Sequence, residues 1–314
     1  MLTGVSLTCF LFSYLLVLLL EVWRLFFKLP ARQVLILLGM IAGLLAHTIF
    51  LGNELFGDQS GRVLSNWFQW VVLGAWGLAI ACTYLMARNP TGNIGLFLLP
   101  LVLLLIGVAT LVRGIEPFAK GSAVTFWGQV HGVSLLLGTM FIFQGLAFGL
   151  MYLVQSTRLK NKSKKRAFFR LPALEFLQSI NRMTLFASAI ALGVGMLSGV
   201  MLNLARGGVS WIGSGTIVSF ALFLWSALAA FLESRASRAL GGRRGAFLSI
   251  ASFVFLVVVL VSVILSSHGQ KEPSSKDEKT DNSPSHSDAV SPTANFTDDS
   301  TNDASSIHID RGAN

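Results

Sequence analysis

The sequence predicts an all-α integral membrane protein, a polytopic helix bundle with about eight transmembrane spans. Of its 314 residues, 53% are hydrophobic and only 12% are charged, which is more apolar than a soluble domain. The apolar residues also fall into eight runs, each long enough to cross a hydrocarbon core. Within lipid such a run must satisfy its backbone polar groups internally, so we expect each to be a helix.

The eight runs follow one another through polar linkers. The first run lacks the cationic start and small-residue cleavage site of a secretory signal and continues through Glu21 and Trp23, so we expect it to be retained. Glu21 is also placed to pair with Arg24, three residues later, as a local surface arrangement. The predicted spans are 4–20, 33–51, 68–86, 94–112, 127–154, 183–204, 212–232 and 246–267.

The distribution of Lys and Arg predicts the orientation. The linkers after spans one, three, five and seven hold sixteen of these residues, whereas the opposite linkers hold four. The positive-inside rule then places the first set in the cytoplasm and both termini outside, an N-out/C-out topology. Because the charges lie in linkers between spans, the net charge of +9 does not indicate nucleic acid as a partner. We expect the basic linker 156–172 to act mainly as a topology determinant, with contact to anionic headgroups as the second interpretation.

Composition divides the chain into two parts. Residues 1–268 form the eight-span domain. Residues 269–314 are rich in Ser, Thr, Asp and Asn, with nine acidic and four basic side chains, a composition that cannot build a core. We therefore expect a disordered extracytoplasmic tail, and we assign no role to His286 and His308 within it. Cys9 and Cys82 lie in spans without a Cys-x-x-Cys motif, so neither thiol redox chemistry nor a cysteine metal cage is expected.

Three histidines remain, and the predicted topology gives them a common location. His47 lies near the outer end of the second span, His131 near the start of the fifth, and His268 at the end of the eighth. All three fall toward the extracytoplasmic side. An imidazole at membrane depth is costly and tends to mark a functional site.

Glycine spacing predicts that two of these histidines face other helices. Gly39, Gly43 and His47 recur every four residues and so share one stripe of a helix, where small residues permit close approach. His131 is followed by glycines at seven-residue intervals on the fifth span. The stretch from Gly195 to Gly199 is likewise spaced for helix packing.

Several imidazoles at one membrane face are compatible with haem, which takes one or two axial histidines and suits an apolar pocket. Zinc and copper remain alternatives, although no carboxylate or cysteine accompanies the histidines at a recognisable spacing. A purely structural alternative is that each histidine forms hydrogen bonds across helices. No nucleophile elbow or hydrolytic metal motif is present, so hydrolase chemistry is not expected.

Four blocks of the chain together resemble a known family. They are "AHTIFLGNELFGDQSGRVLSNWFQWVVLGAW", "FWGQVHGVSLLLGTMFIFQGLAFGLMYLV", "LPALEFLQSINRMTLFASAIALGVGMLSGVMLN" and "GGRRGAFLSIASFVFLVVVLVSVILSSHG". In this order they resemble the cytochrome c assembly membrane proteins, the CcsA/CcmC-like group, over about residues 30–269. The specificity lies in the order of the motifs rather than in any single block.

The resemblance implies a function and a set of site residues. The family handles haem on the extracytoplasmic side and delivers it to apocytochrome c. By position, His131 and His268 resemble the family's two external histidines, and His47 resembles the histidine of an early transmembrane site. The resemblance thus implies haem b as a transient cofactor, with His131 and His268 as iron ligands and Trp127 and Trp211 lining the approach.

The same resemblance implies partners and a location. The partners would be haem, apocytochrome c and other cytochrome-maturation subunits, in a bacterial-type inner (cytoplasmic) membrane that the chain crosses several times. Any enzymatic role would be at most that of a membrane subunit in a haem-attachment (synthetase or lyase) system.

One segment departs from the family pattern. Where the family has a tryptophan-rich WWD-type motif, this chain has "LARGGVSWIGSGTIVSF", which keeps Trp211 but has no aspartate and no paired tryptophan. The sequence therefore indicates a divergent member. A non-catalytic membrane scaffold of the same fold and a transporter for haem or a small solute are the alternative functions.

Overall fold

The computed structural model describes residues 6–26, 32–56, 64, 66–90, 92–113, 126–160, 171–205, 214–235 and 238–267. Within these ranges the regular structure is entirely α-helical, which confirms the predicted fold class. The eight helices are α1 (Leu7–Trp23), α2 (Arg32–Phe56), α3 (Trp67–Arg88), α4 (Gly95–Leu111), α5 (Phe126–Lys160), α6 (Leu174–Ala205), α7 (Ser214–Ser234) and α8 (Arg238–Ser267). The predicted disordered tail lies outside the described residues.

Six of the described helices are long and apolar enough to cross a membrane. The other two, α1 and α4, are apolar helices of 17 residues each. A transmembrane helix needs about 17 to 25 residues, so these two lie at the lower limit. The protein is a multi-pass membrane protein.

Consecutive helices alternate in direction. Gly199 of α6 contacts His131 near the start of α5, whereas Gly145 further along α5 contacts Thr184 near the start of α6, so the two helices are antiparallel. Contacts between α1 and α2, and between α7 and α8, show that these pairs are also antiparallel. We call the end where the odd-numbered helices begin the histidine end, and the opposite end the basic end.

The helix contacts divide the bundle into two groups. In the first, α1 contacts α2 and α4, and α3 contacts α2 and α4. In the second, α5 and α7 each contact α6 and α8, and α6 also contacts α8. The groups meet where α5 packs against α3 and α4, so α3 lies between the N-terminal helices and α5.

Glycine permits the close helix contacts, as the sequence predicted. A Cβ at Gly43 would lie 2.9 Å from Ser13 Oγ on α1, and one at Gly195 would lie 2.9 Å from Leu135 Cδ2 on α5. Real Cβ atoms do not approach other atoms this closely, so α2 and α6 depend on glycine at these positions. The predicted glycine faces of the second and sixth spans are therefore confirmed as protein-facing.

The predicted surface pairing of Glu21 with Arg24 is wrong in one respect. The two side chains do pair, with 3.6 Å between Arg24 Nη1 and Glu21 Oε2, but they are only 5% and 1% exposed. Arg24 also donates to the backbone carbonyls of Gly92 at 3.3 Å and Pro90 at 3.2 Å. These hydrogen bonds tie the buried pair at the end of α1 to the segment that precedes α4.

Helix α6 begins nine residues before the apolar run that predicted it. The extra residues include Asn181, which is buried and accepts a hydrogen bond of 2.8 Å from Ser249 on α8. Polar residues of this kind end a hydropathic run without ending a helix, because a partner helix satisfies their hydrogen bonds.

Candidate functional site

His131 lies on α5, five residues from its start at the histidine end. Its Nδ1 lies 2.7 Å from the backbone carbonyl oxygen of Gly195 on α6. Since a carbonyl oxygen can only accept, Nδ1 carries the proton and donates it. In the neutral ring Nε2 then holds a lone pair, which is the arrangement found in histidines that bind a metal through Nε2.

The His131 ring is held against α6 by a glycine. A Cβ built on Gly199 would lie 3.0 Å from both Cε1 and Nδ1 of His131. The ring therefore occupies the space that a side chain at position 199 would fill. Gly195 and Gly199 were predicted from spacing to be packing residues, and they also fix the position of this imidazole.

Trp127 lies one turn before His131 on α5, and residues four apart share a helix face. It is 41% exposed and meets the ring of Phe126 edge to face, with centroids 5.4 Å apart. Phe126 is itself 69% exposed. An open aromatic pair thus precedes His131 at the histidine end, where a flat apolar ligand would find stacking surface.

His47 lies in a closed aromatic cluster between α1, α2 and α3. Its ring stacks on Phe10 of α1 with centroids 4.2 Å apart and planes inclined by 5°, and it is fully buried. Nδ1 makes a long hydrogen bond of 3.3 Å with the Tyr14 hydroxyl. Among the described residues, no atom meets the geometric limits of a hydrogen bond with Nε2, and the backbone of Val72 on α3 interacts with the imidazole.

The two described histidines lie in the same half of the bundle but on different sides of α3. His47 neighbours Val72, whereas Gly132, the residue after His131, contacts the indole of Trp70. Positions 70 and 72 are about 200° apart around a helix, so they face nearly opposite directions. The structure therefore brings Trp127 and His131 onto one face and keeps His47 in a separate environment.

Two of the predicted site residues, His268 and Trp211, lie outside the described residues. Across the described part of the chain, no group of three or more His, Cys, Asp or Glu side chains is placed to hold a metal ion. Haem iron does not require such a group, since it takes one or two axial histidines.

Sequence reasoning missed the partners of both histidines. Tyr14 is the one tyrosine of α1, directly after Ser13 in a mostly apolar helix, a signal that could have indicated a polar contact for His47. Gly195 was recognised as a packing residue, but nothing in the sequence shows that its carbonyl oxygen accepts from His131. That bond joins residues 64 positions apart.

No family model matches the chain. It is similar to three proteins named "Cytochrome c biogenesis protein CcsA". The relative from Guillardia theta is 25% identical over an alignment of 240 residues that covers 69% of this chain and 77% of the relative. The relative from Prochlorococcus marinus strain NATL2A is 26% identical over an alignment of 238 residues that covers 66% of this chain and 75% of the relative.

A third relative, from Prochlorococcus marinus strain MIT 9303, is 33% identical over 107 residues, 34% of this chain and 33% of the relative. The two longer matches each cover about two thirds of the chain. The chain is thus similar to CcsA proteins, which supports the resemblance to cytochrome c assembly membrane proteins that the sequence predicted.

Proposed function

We propose that this protein acts in cytochrome c biogenesis by handling haem at the extracytoplasmic face of a bacterial-type inner membrane and delivering it to apocytochrome c. The relatives are named for cytochrome c biogenesis, which supports the general role. The more specific role in haem delivery is supported by the chemistry of His131.

The observation that carries the proposal is the hydrogen bond from His131 Nδ1 to the Gly195 carbonyl oxygen, 2.7 Å long. It fixes the tautomer and the ring orientation, and it leaves a lone pair on Nε2 of the neutral ring. A ring held in this way is suited to bind haem iron reversibly at Nε2. The residues present thus fit haem as a transient cofactor or cargo, with His131 as one iron ligand.

His268 is the second ligand in this proposal. It directly follows Ser267, the last residue of α8, and α8 ends at the histidine end. Trp127 and Trp211 line the approach, and the exposed Trp127 supplies a stacking surface. The reduced tryptophan segment leaves part of the haem surface to be covered by other maturation subunits or by apocytochrome c itself.

The histidine end faces the extracytoplasmic side in this proposal. Arg88, Arg158, Lys160 and Arg235 all lie at helix ends of the basic end, which supports a cytoplasmic location for it. Cysteines introduced at Phe56 and Arg88, on opposite ends, test the orientation with a membrane-impermeant thiol reagent in intact cells. Labelling at position 56 and not at 88 is expected, and the reverse pattern would contradict it.

His47 takes the inner position in this proposal, in contact with haem or with a proton path within the bundle. Its imidazole is fully buried, and no described residue makes a well-formed hydrogen bond to Nε2, which supports a role beyond packing because a polar atom is costly in an apolar environment. The stack on Phe10 shows that access to this imidazole requires movement of α1 or α3.

A non-catalytic scaffold of the same fold is the second candidate. The observation that favours it is that His47 and His131 each make an interhelical hydrogen bond, to Tyr14 and to Gly195, that needs no haem. The transporter alternative predicts haem or solute flux in proteoliposomes.

The proposed function is tested by the haem spectrum and by cytochrome c maturation. The protein purified in mild detergent should show a Soret band that falls when His131 and His268 are both changed to alanine. The matched control changes His286 and His308, the two histidines of the tail, and should keep the band. Loss of maturation with intact partner binding supports haem delivery, whereas normal maturation in the His131/His268 double variant would favour the scaffold.

A further inference from the structure

Three arginines at the basic end of the C-terminal helix group stack on aromatic rings of their own helices. The distances from the guanidinium carbon to the ring centroid are 5.8 Å for Arg182 over Phe186 on α6, 5.0 Å for Arg235 over Phe231 at the end of α7, and 5.8 Å for Arg243 over Phe247 on α8. Each lies within the range of a cation–π contact. We call these six residues the arginine–aromatic surface.

These pairs are directed outward from the bundle. All three arginines are exposed, and Phe231 and Phe247 are each 53% exposed. The pairs on α7 and α8 thus each present a cation and an exposed apolar ring, whereas the Phe186 ring on α6 is half-buried. A pair at the histidine end differs, because Arg113 lies over Phe68, and that ring is only 1% exposed.

The surface has an excess of positive charge. Arg244 adds a fourth exposed guanidinium, whereas Glu233 is only 2% exposed and interacts electrostatically with Arg182 and Arg244. Even an ionised Glu233 would offset only one of the four cations. The exposed Glu175 lies seven residues before Arg182, about 10 Å along α6.

The three helices that carry these pairs are direct neighbours. α6, α7 and α8 contact each other in all three pairs. Glu233 of α7 packs against Gly245 of α8, and Ser249, one turn further along α8, donates to Asn181 of α6. These contacts hold the charged ends of the three helices at similar positions along the bundle axis.

We propose that the arginine–aromatic surface binds an anionic phospholipid of the adjacent leaflet. The guanidinium groups contact the headgroup phosphate, for which arginine offers paired donors, and the exposed Phe231 and Phe247 rings contact the acyl chains. Charge complementarity selects an anionic lipid over a zwitterionic one. This proposal is independent of haem binding.

The test measures retention of phosphatidylglycerol and phosphatidylcholine by the full-length protein, by native mass spectrometry from mixed micelles. The parent protein should prefer phosphatidylglycerol, and the preference should decrease as salt is raised. Changing both Arg235→Gln and Arg243→Gln should weaken phosphatidylglycerol retention about tenfold or more, since each cation near an anionic surface contributes about fivefold. The matched control, Arg113→Gln at the histidine end, should leave retention unchanged.

Two outcomes would overturn the proposal. One is a parent protein with no preference for phosphatidylglycerol over phosphatidylcholine. The other is a folded double variant that retains phosphatidylglycerol as well as the Arg113→Gln control does. If the glutamine variant does not fold, Phe231→Leu with Phe247→Leu keeps the charges and removes the rings. Unchanged retention in that variant would exclude a role for the rings and would also contradict the proposal.

Discussion

The Gly199→Ala substitution tests whether the position of His131 matters. The new Cβ would lie 3.0 Å from Cε1 and Nδ1 of the ring, whereas carbon atoms pack without strain at about 3.5 to 4.0 Å. The imidazole must therefore move away from α6 by roughly 0.5 Å. This movement lengthens the 2.7 Å bond to Gly195 to about 3.2 Å, the upper limit of a good hydrogen bond.

The expected cost has two parts. Overpacking at a helix contact costs about 1 to 3 kcal/mol, and weakening the hydrogen bond removes up to about 1 kcal/mol. Loss of a supporting hydrogen bond to a metal-binding histidine typically weakens metal affinity about 10- to 100-fold. We therefore expect Gly199→Ala to weaken haem binding at least tenfold while the protein still folds.

The assay is a haem titration followed at the Soret band, together with thermal unfolding in the same detergent. Gly52→Ala is the matched control, because within the described part of the chain a Cβ at that helical position meets no atom within 4 Å apart from its own helix backbone and chain neighbours. The control should bind haem normally and be stabilised by about 0.5 to 1 kcal/mol, the usual gain of alanine over glycine in a helix. Equal haem affinity in Gly199→Ala, Gly52→Ala and the parent would refute the reasoning.

Two further predictions concern buried polar contacts. Tyr14→Phe should lower stability by about 1 to 3 kcal/mol, because His47 Nδ1 loses its hydrogen bond in a buried site, and thermal unfolding should show no comparable loss for the exposed Tyr84→Phe. Arg24→Gln should cost about 3 to 5 kcal/mol, because it removes the partner of buried Glu21 and the bonds to the 90–92 segment. The exposed Arg88→Gln should change stability by less than about 0.5 kcal/mol, and a similar loss in both arginine variants would count against the buried pair.

The transmembrane helices could be predicted from the sequence because lipid imposes a simple requirement on chain length and polarity. Gly43 and Gly195 could also be assigned to protein-facing surfaces, since glycine spacing on a helix is a direct consequence of its period. The start of α6 could not be predicted. Asn181 is polar and interrupts the apolar pattern, and its burial depends on Ser249 in a distant helix.

The partners of the histidines could not be predicted for a similar reason. Tyr14 is 33 residues from His47, and Gly195 is 64 residues from His131. Each hydrogen bond depends on which helices become neighbours and on their rotation, and hydrophobic periodicity fixes neither. The burial of Glu21 with Arg24 was missed because local spacing gives the pairing but not the position of the α4 segment that covers it.

The most direct test of haem binding at His131 is a cavity variant with imidazole rescue. His131→Gly, purified from haem-sufficient cells and shown to be folded by its thermal unfolding, should have lost most of its bound haem and its Soret band. Added imidazole, which can occupy the vacated space next to the Gly195 carbonyl, should restore both. A variant that retains the haem content and spectrum of the parent without imidazole would show that His131 is not an iron ligand.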